Sequence, residues 1–111
     1  MSRYYDKQGK PLELMQWAQL FEDNAYRHIA ETTLPDGTWV STVWLGLDHN
    51  FGRGVPVIFE TMVFPHKDDN SNEQEQERYS TLEEALNGHT RMVQKYTQQQ
   101  SLGERKKEKH G

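Results

Sequence analysis

The hydrophobic pattern of the chain predicts an α+β fold: a three-stranded antiparallel β-meander flanked by an N-terminal and a C-terminal α-helix. Three observations carry that expectation. Apolar residues recur at helical spacing in one segment towards each end. β-branched and aromatic residues dominate the middle. The links between the middle segments are short and rich in turn formers, which favours neighbouring strands that pair antiparallel.

Residues 11–22 read as the first helix, with Pro11 suited to a first turn and Leu14, Trp17, Ala18 and Phe21 at i, i+3, i+4 and i+7. Asn24 is placed to end it. Tyr26 to Leu34 reads as a strand leading into Pro35-Asp36-Gly37, a turn in which Pro presets φ and Gly supplies positive φ. Thr38 to Leu47, carrying Trp39, Val40, Thr42, Val43 and Trp44, is the returning strand. Asp48 to Pro56 is a loop by its Gly, Asn and Pro content, and Val57 to Phe64 is a third strand. Apolarity on both faces of that strand suggests cover on both sides or a place at an interface. The second helix is expected from about Thr81 to Gln98, opened by a capping box from Ser80 with Glu83 or Thr81 with Glu84.

The composition, 33% hydrophobic against 27% charged, would be thin for a core if spread evenly over 111 residues. It is not so spread. Of the 37 hydrophobic residues, 26 fall between Pro11 and Phe64, while His66 to Arg78 holds none. The expected organisation is therefore one globular domain over residues 1–97, with a polar acidic loop at 66–78, followed by a polar, disordered tail at 98–111. Charge divides likewise: residues 1–97 carry 9 Lys and Arg against 15 Asp and Glu, and residues 98–111 carry 4 against 2. So acidic a domain argues against binding a phosphate backbone, which needs Lys and Arg. No run is long and apolar enough for a membrane span, and the first residues lack a signal peptide's apolar core. Zero Cys removes disulfides, thiolate zinc sites and a Cys nucleophile. The phosphate-binding, dinucleotide-binding, nucleophile-elbow and HExxH motifs are all missing, so no cofactor is expected.

Several residues are nonetheless candidates. Asp48-His49-Asn50 leaves a strand for a loop, where an acid can orient an imidazole, although turn chemistry is the simpler reading. Phe51-Gly52-Arg53-Gly54 has the glycines and the arginine of an anion-holding loop but runs into a strand rather than a helix. Glu60 in an apolar strand asks for a partner such as Arg27, His28 or His89, and a structural ion pair is favoured over a general base. His89 lies on the apolar stripe of the second helix, where a hydrogen-bonded core role is the commoner one. Trp39 and Trp44, five apart on one strand, face opposite sides, so at least one must meet a helix, a partner or solvent. The binding candidates are thus Trp39, Trp44, Asp48, His49, Phe51, Arg53, Glu60 and His89. An alternative to binding is a small metal-dependent enzyme or ligand-binding domain using Asp48, His49, Glu60 and His89. A homodimer completed through the sheet is a further expectation.

The strings Leu20-Phe21-Glu22-Asp23, Val40 to His49 (Val-Ser-Thr-Val-Trp-Leu-Gly-Leu-Asp-His) and Ile58 to Phe64 (Ile-Phe-Glu-Thr-Met-Val-Phe), with Tyr79-Ser80-Thr81, Glu83-Glu84-Ala85 and Gly88-His89, belong to a pattern that covers roughly residues 4–93. This pattern resembles a family of small bacteriophage and prophage proteins. The acidic loop and basic tail fall outside it. The resemblance implies a bacterial cytoplasm as the setting. It also implies an accessory role, binding a host protein and in some cases inhibiting host or antiviral machinery, and the missing catalytic motifs make a non-enzymatic role the expectation.

Overall fold

The computed structural model describes residues 2–68 and 73–108. A four-stranded antiparallel sheet, β3-β4-β5-β6 in spatial and chain order, is built from β3 (His28–Thr33), β4 (Trp39–Trp44), β5 (Phe59–Phe64) and β6 (Glu75–Tyr79). Ahead of it lie a small hairpin, β1 (Tyr4–Tyr5) with β2 (Pro11–Leu12), the helix α1 (Leu14–Glu22) and a single turn α2 (Asn24–Arg27). The helix α3 (Leu82–Glu108) follows the sheet. Among the described residues no helix is long and apolar enough to cross a membrane.

The mixed α+β class holds, but the sheet has four strands rather than three. β6 lies inside the stretch expected to be a polar loop over 66–78. Apolar periodicity is blind to it because both of its faces are held by polar contacts. Towards α3, Glu77 bonds Arg91, and Glu75 accepts from Lys95 at 2.7 Å and from Tyr96 at 2.9 Å. Towards the other face, Arg78 pairs with Glu60 across the β5–β6 ladder. An edge strand solvated on one side can be stabilised this way without apolar residues. The part of that expected loop at 69–72 lies outside the described residues.

Two further boundaries move. Pro11 belongs to β2, not to the first helix: Asp6 Oδ1 accepts from the N–H groups of Gln8 and Lys10, and Gly9 at φ 82° closes the hairpin. α1 therefore opens two residues beyond β2, with the Glu13 N–H donating to Gln16 Oε1. The strand expected from Tyr26 opens instead with a helical turn, because the Asp23 carboxylate caps the N–H groups of Ala25 and Tyr26. At the other end, α3 runs through Glu108, where polarity alone predicts an irregular tail from residue 98. Gln, Glu, Lys and Arg favour helix by backbone propensity alone, even with Gly103 in the run. Residues 109–111 lie outside the described residues.

The β3–β4 turn forms as read, with Gly37 at φ 95° and the Leu34 N–H bonded to the Thr38 carbonyl. Register then decides which side chains share a face. Val40, Thr42 and Trp44 stand opposite Val63, Thr61 and Phe59, all six fully buried under the helices. α3 covers most of that face, opened by the reciprocal Thr81–Glu84 capping box. Gly88 is what lets it lie close: a Cβ there would run into the Tyr79 hydroxyl and ring. At the Trp44 end of the same face the cover is aromatic. Tyr26 meets Trp44 edge-on at 4.9 Å, and Trp17 lies between Phe21 and Tyr4. The opposite face carries Trp39 stacked on Phe64 at 5.3 Å, with Val43 and Met62 half-buried beside them.

Candidate functional site

Where β4 hands over to β5, the N-terminal segment is stitched to the connecting loop. Trp44 Nε1 donates to the Tyr5 carbonyl at 3.0 Å, and Trp17 Nε1 to the Leu45 carbonyl at 2.9 Å. The Tyr5 N–H bonds Gly46, the Asp48 N–H bonds Arg3, and Tyr4 bridges Leu47. Gly46, at φ 73°, cannot be replaced without strain, since a Cβ would collide with the Trp44 ring and fall 2.6 Å from Trp17.

Asp48 then organises the loop. One carboxylate oxygen accepts from the N–H groups of Asn50 (2.7 Å) and Val57 (3.0 Å), and the other from Gly52 (3.0 Å). Burial works to raise the carboxyl's pKa. The three N–H donors, together with His49, outweigh burial and hold it below the usual carboxylate range. Asn50 adds side-chain bonds to the carbonyls of Arg53 and Val55. Both oxygens of Asp48 are thus occupied, and it acts as the brace of the loop rather than as an acid or base.

What this braced loop presents is apolar. Phe51 is 84% exposed and Val55 66%, with Leu47 also exposed at its base. Phe51 holds φ 54°, the one non-glycine residue with positive φ among those described. That conformation costs an L-residue roughly 1–2 kcal/mol, and it persists only where the surroundings over-determine it. Beside Phe51 opens a cleft of about 720 Å³ whose walls include Arg3, Tyr5, Leu47 and His49. His49 Nδ1 donates to the Leu47 carbonyl at 2.9 Å, which fixes the ring at the cleft wall. Arg53 sits on the loop between two of the lining glycines.

The other candidate residues lie elsewhere. Trp44 is fully buried, which removes it from the binding candidates: its position on the helix-covered face makes it core. Trp39 lies half-buried on the opposite face, its indole donating to Glu31 Oε1 at 2.7 Å. The Glu31 carboxyl is held low by its bond from Lys67 first, with Trp39 and His28 adding to it against a smaller effect of burial. Glu60 finds none of the partners anticipated for it. It binds Arg78 at 2.9 Å and Gln76 at 2.5 Å, both on the strand that hydrophobic periodicity misses.

His89 stands on α3 and faces the sheet. Its Nε2 is 2.9 Å from Thr32 Oγ1 and its Nδ1 2.8 Å from Thr42 Oγ1, and Thr42 in turn meets Thr61 at 2.5 Å. Burial lowers its pKa, and the nearby His28 adds to that. His89 therefore faces the helix side of the sheet, Glu60 the other side, and Asp48 is locked in the loop. Of the four residues set aside for metal or acid–base chemistry, only Asp48 and His49 come together. Among the described residues no three His, Cys, Asp or Glu side chains gather in a metal-holding group.

The cleft's N-terminal wall escapes reasoning from apolar periodicity. Two aromatics followed by the Asp6-Lys7-Gln8-Gly9 turn and Pro11-Leu12 form a short hairpin signal, and turn chemistry is what could have found it. Comparison of the protein with family models, with curated proteins and with solved structures finds no match.

Proposed function

We propose that the protein is a non-catalytic binding protein that docks on a bacterial protein through the loop at residues 47–55. One observation carries the reading: Phe51, almost fully exposed, is held in a strained left-handed conformation by a loop that Asp48 braces from within. Hydrophobic collapse disfavours such exposure and steric strain disfavours such a φ, so neither is accounted for by the fold. An aromatic anchor waiting for a pocket on a partner accounts for both. Leu47 and Val55 extend the same apolar surface. The resemblance of residues 4–93 to small bacteriophage and prophage proteins supports a bacterial host protein as the partner, with interference in host or antiviral machinery as its consequence.

The test is quantitative capture from bacterial lysate with the wild-type protein, Phe51→Ser and Leu86→Ser. Leu86 is 45% exposed on α3 and does not line the cleft, and so controls for general stickiness. The wild type and Leu86→Ser are expected to retain the same partner and Phe51→Ser to lose it. A partner kept by Phe51→Ser at wild-type level would overturn the reading.

A further inference from the structure

We infer that the cleft beside Phe51 receives a carboxylate borne on an apolar segment of the protein partner, with Arg3 supplying the counter-charge. This rests on the reading of the loop as a docking site. The observation behind it is how the protein distributes its arginines. Arg78 is paired with Glu60 and Arg91 with Glu77, while Arg27 bonds Asn24 and lies over the Phe21 ring. Among the described residues, Arg3 and Arg53 take part in no ion pair and no side-chain hydrogen bond; Arg3 lines this cleft and Arg53 stands on its loop. A domain with 9 Lys and Arg against 15 Asp and Glu over residues 1–97 has acids enough to neutralise them, yet leaves them open at one place.

The carboxylate already in the cleft wall does not answer Arg3, because both Asp48 oxygens are taken by loop N–H groups. Beside the positive charge the lining sets the apolar side chains of Tyr5, Leu47 and Phe51 among the polar Ser2, Asp48 and His49. The complementary ligand is therefore a C-terminal carboxylate on a segment that ends in apolar residues such as Leu or Phe. An arginine matches a carboxylate through two parallel N–H bonds, and the match gains strength where water is excluded by flanking apolar groups. The acidic balance of the surrounding domain disfavours a nucleic-acid phosphate as the anion.

The probe is N-acetyl-leucyl-phenylalanine, titrated as its free acid and as its C-terminal amide into the full-length protein and followed by the backbone amide resonances. The free acid is expected to shift Arg3, Leu47, His49 and Gly52, and the amide to bind about tenfold more weakly, the usual effect of removing a charge-assisted hydrogen bond. Arg3→Gln should bind the free acid only as well as the wild type binds the amide, while its affinity for the amide stays unchanged. Free acid and amide binding equally would overturn the inference, as would shifts confined to residues outside the cleft or no shifts at all. Equal binding would leave the docking role of Phe51 standing, since that role falls only if Phe51→Ser keeps the partner.

Discussion

His89 and Phe51 depart from the ordinary rule of burial in opposite senses. A histidine, the residue type that titrates near neutrality, is enclosed between helix and sheet, and a phenylalanine stands in solvent at the tip of a loop. The first departure is settled within the molecule: both ring nitrogens are bonded to threonines, and Thr42 meets Thr61 across β4 and β5. The second has no such internal answer. A polar group satisfied where it is buried is part of the architecture. An apolar group held out by a braced, strained loop points to something beyond the molecule. The comparison separates fold from function more sharply than residue type does, because by residue type the histidine looks chemical and the phenylalanine looks incidental.

The largest effect that would test this division is at Trp44. Truncation to Ala removes a fully buried indole, its bond to the Tyr5 carbonyl and its edge contact with Tyr26. A loss of about 3–5 kcal/mol is expected, enough to unfold a marginal domain of this size. Urea denaturation measures it. A variant that stays folded with wild-type stability would mean that the aromatic cluster joining the N-terminal hairpin to the sheet is not what holds that end together. Trp44 and Phe51 then mark the two ends of a scale, the one expected to matter for folding and the other for the proposed docking.

Much of this scale is legible in the sequence alone, and the gaps have definite causes. β4 and β5 are apparent from β-branched and aromatic runs, the turn from Pro35-Asp36-Gly37, and the α3 N-terminus from Thr81 and Glu84, because each of these signals is local. β6 is not, since Glu75, Glu77 and Arg78 are strand residues only by virtue of Lys95, Arg91 and Glu60, partners that are distant in sequence. The same holds for the site. Asp48, His49, Phe51 and Arg53 are conspicuous on their loop, whereas Arg3 and Tyr5 reach it through backbone pairing that no periodicity announces. Trp44 is misplaced for the complementary reason. Alternation shows that two tryptophans face opposite sides but not which side the helices cover.

A smaller effect is expected from pH, and it reports on the buried member of the comparison. Burial lowers the pKa of His89 in the folded protein relative to the unfolded value of 6.5. Between those two values the unfolded protein binds more protons than the folded one. Stability is therefore full above about pH 6.5 and declines as pH falls towards the lower folded value. Protonation also removes the acceptor nitrogen, so the threonine that donates to it must turn its hydroxyl and accept instead. The groups facing His89 from the sheet are Thr32, Thr42 and Thr61, with His28 the nearby titrating group. None of them is a carboxylate able to compensate. Urea midpoints measured from about pH 7.5 down to about pH 5 should fall in the wild type, and the slope should flatten in His89→Gln, which keeps polar atoms for the threonines but cannot titrate in this range. Equal slopes in the two proteins would mean that His89 is not the group that senses pH.

The smallest change in stability, and the most informative, is expected at Phe51. Asn tolerates positive φ better than an aromatic residue does, so Phe51→Asn relieves strain at φ 54° while removing a side chain that the fold hardly touches. The expected outcome is an unchanged or higher unfolding free energy in urea denaturation, by no more than about 1 kcal/mol, together with loss of the captured partner. Few positions in a small domain should become more stable and less functional through one substitution, because truncating a large apolar side chain normally destabilises. If Phe51→Asn instead lowers stability by as much as a core truncation, then Phe51 packs on the domain in solution and its exposure is not a docking feature. If the midpoint rises and the partner is retained, the strain is real but serves something other than Phe51 itself, and the exposed Leu47 and Val55 become the residues to vary next.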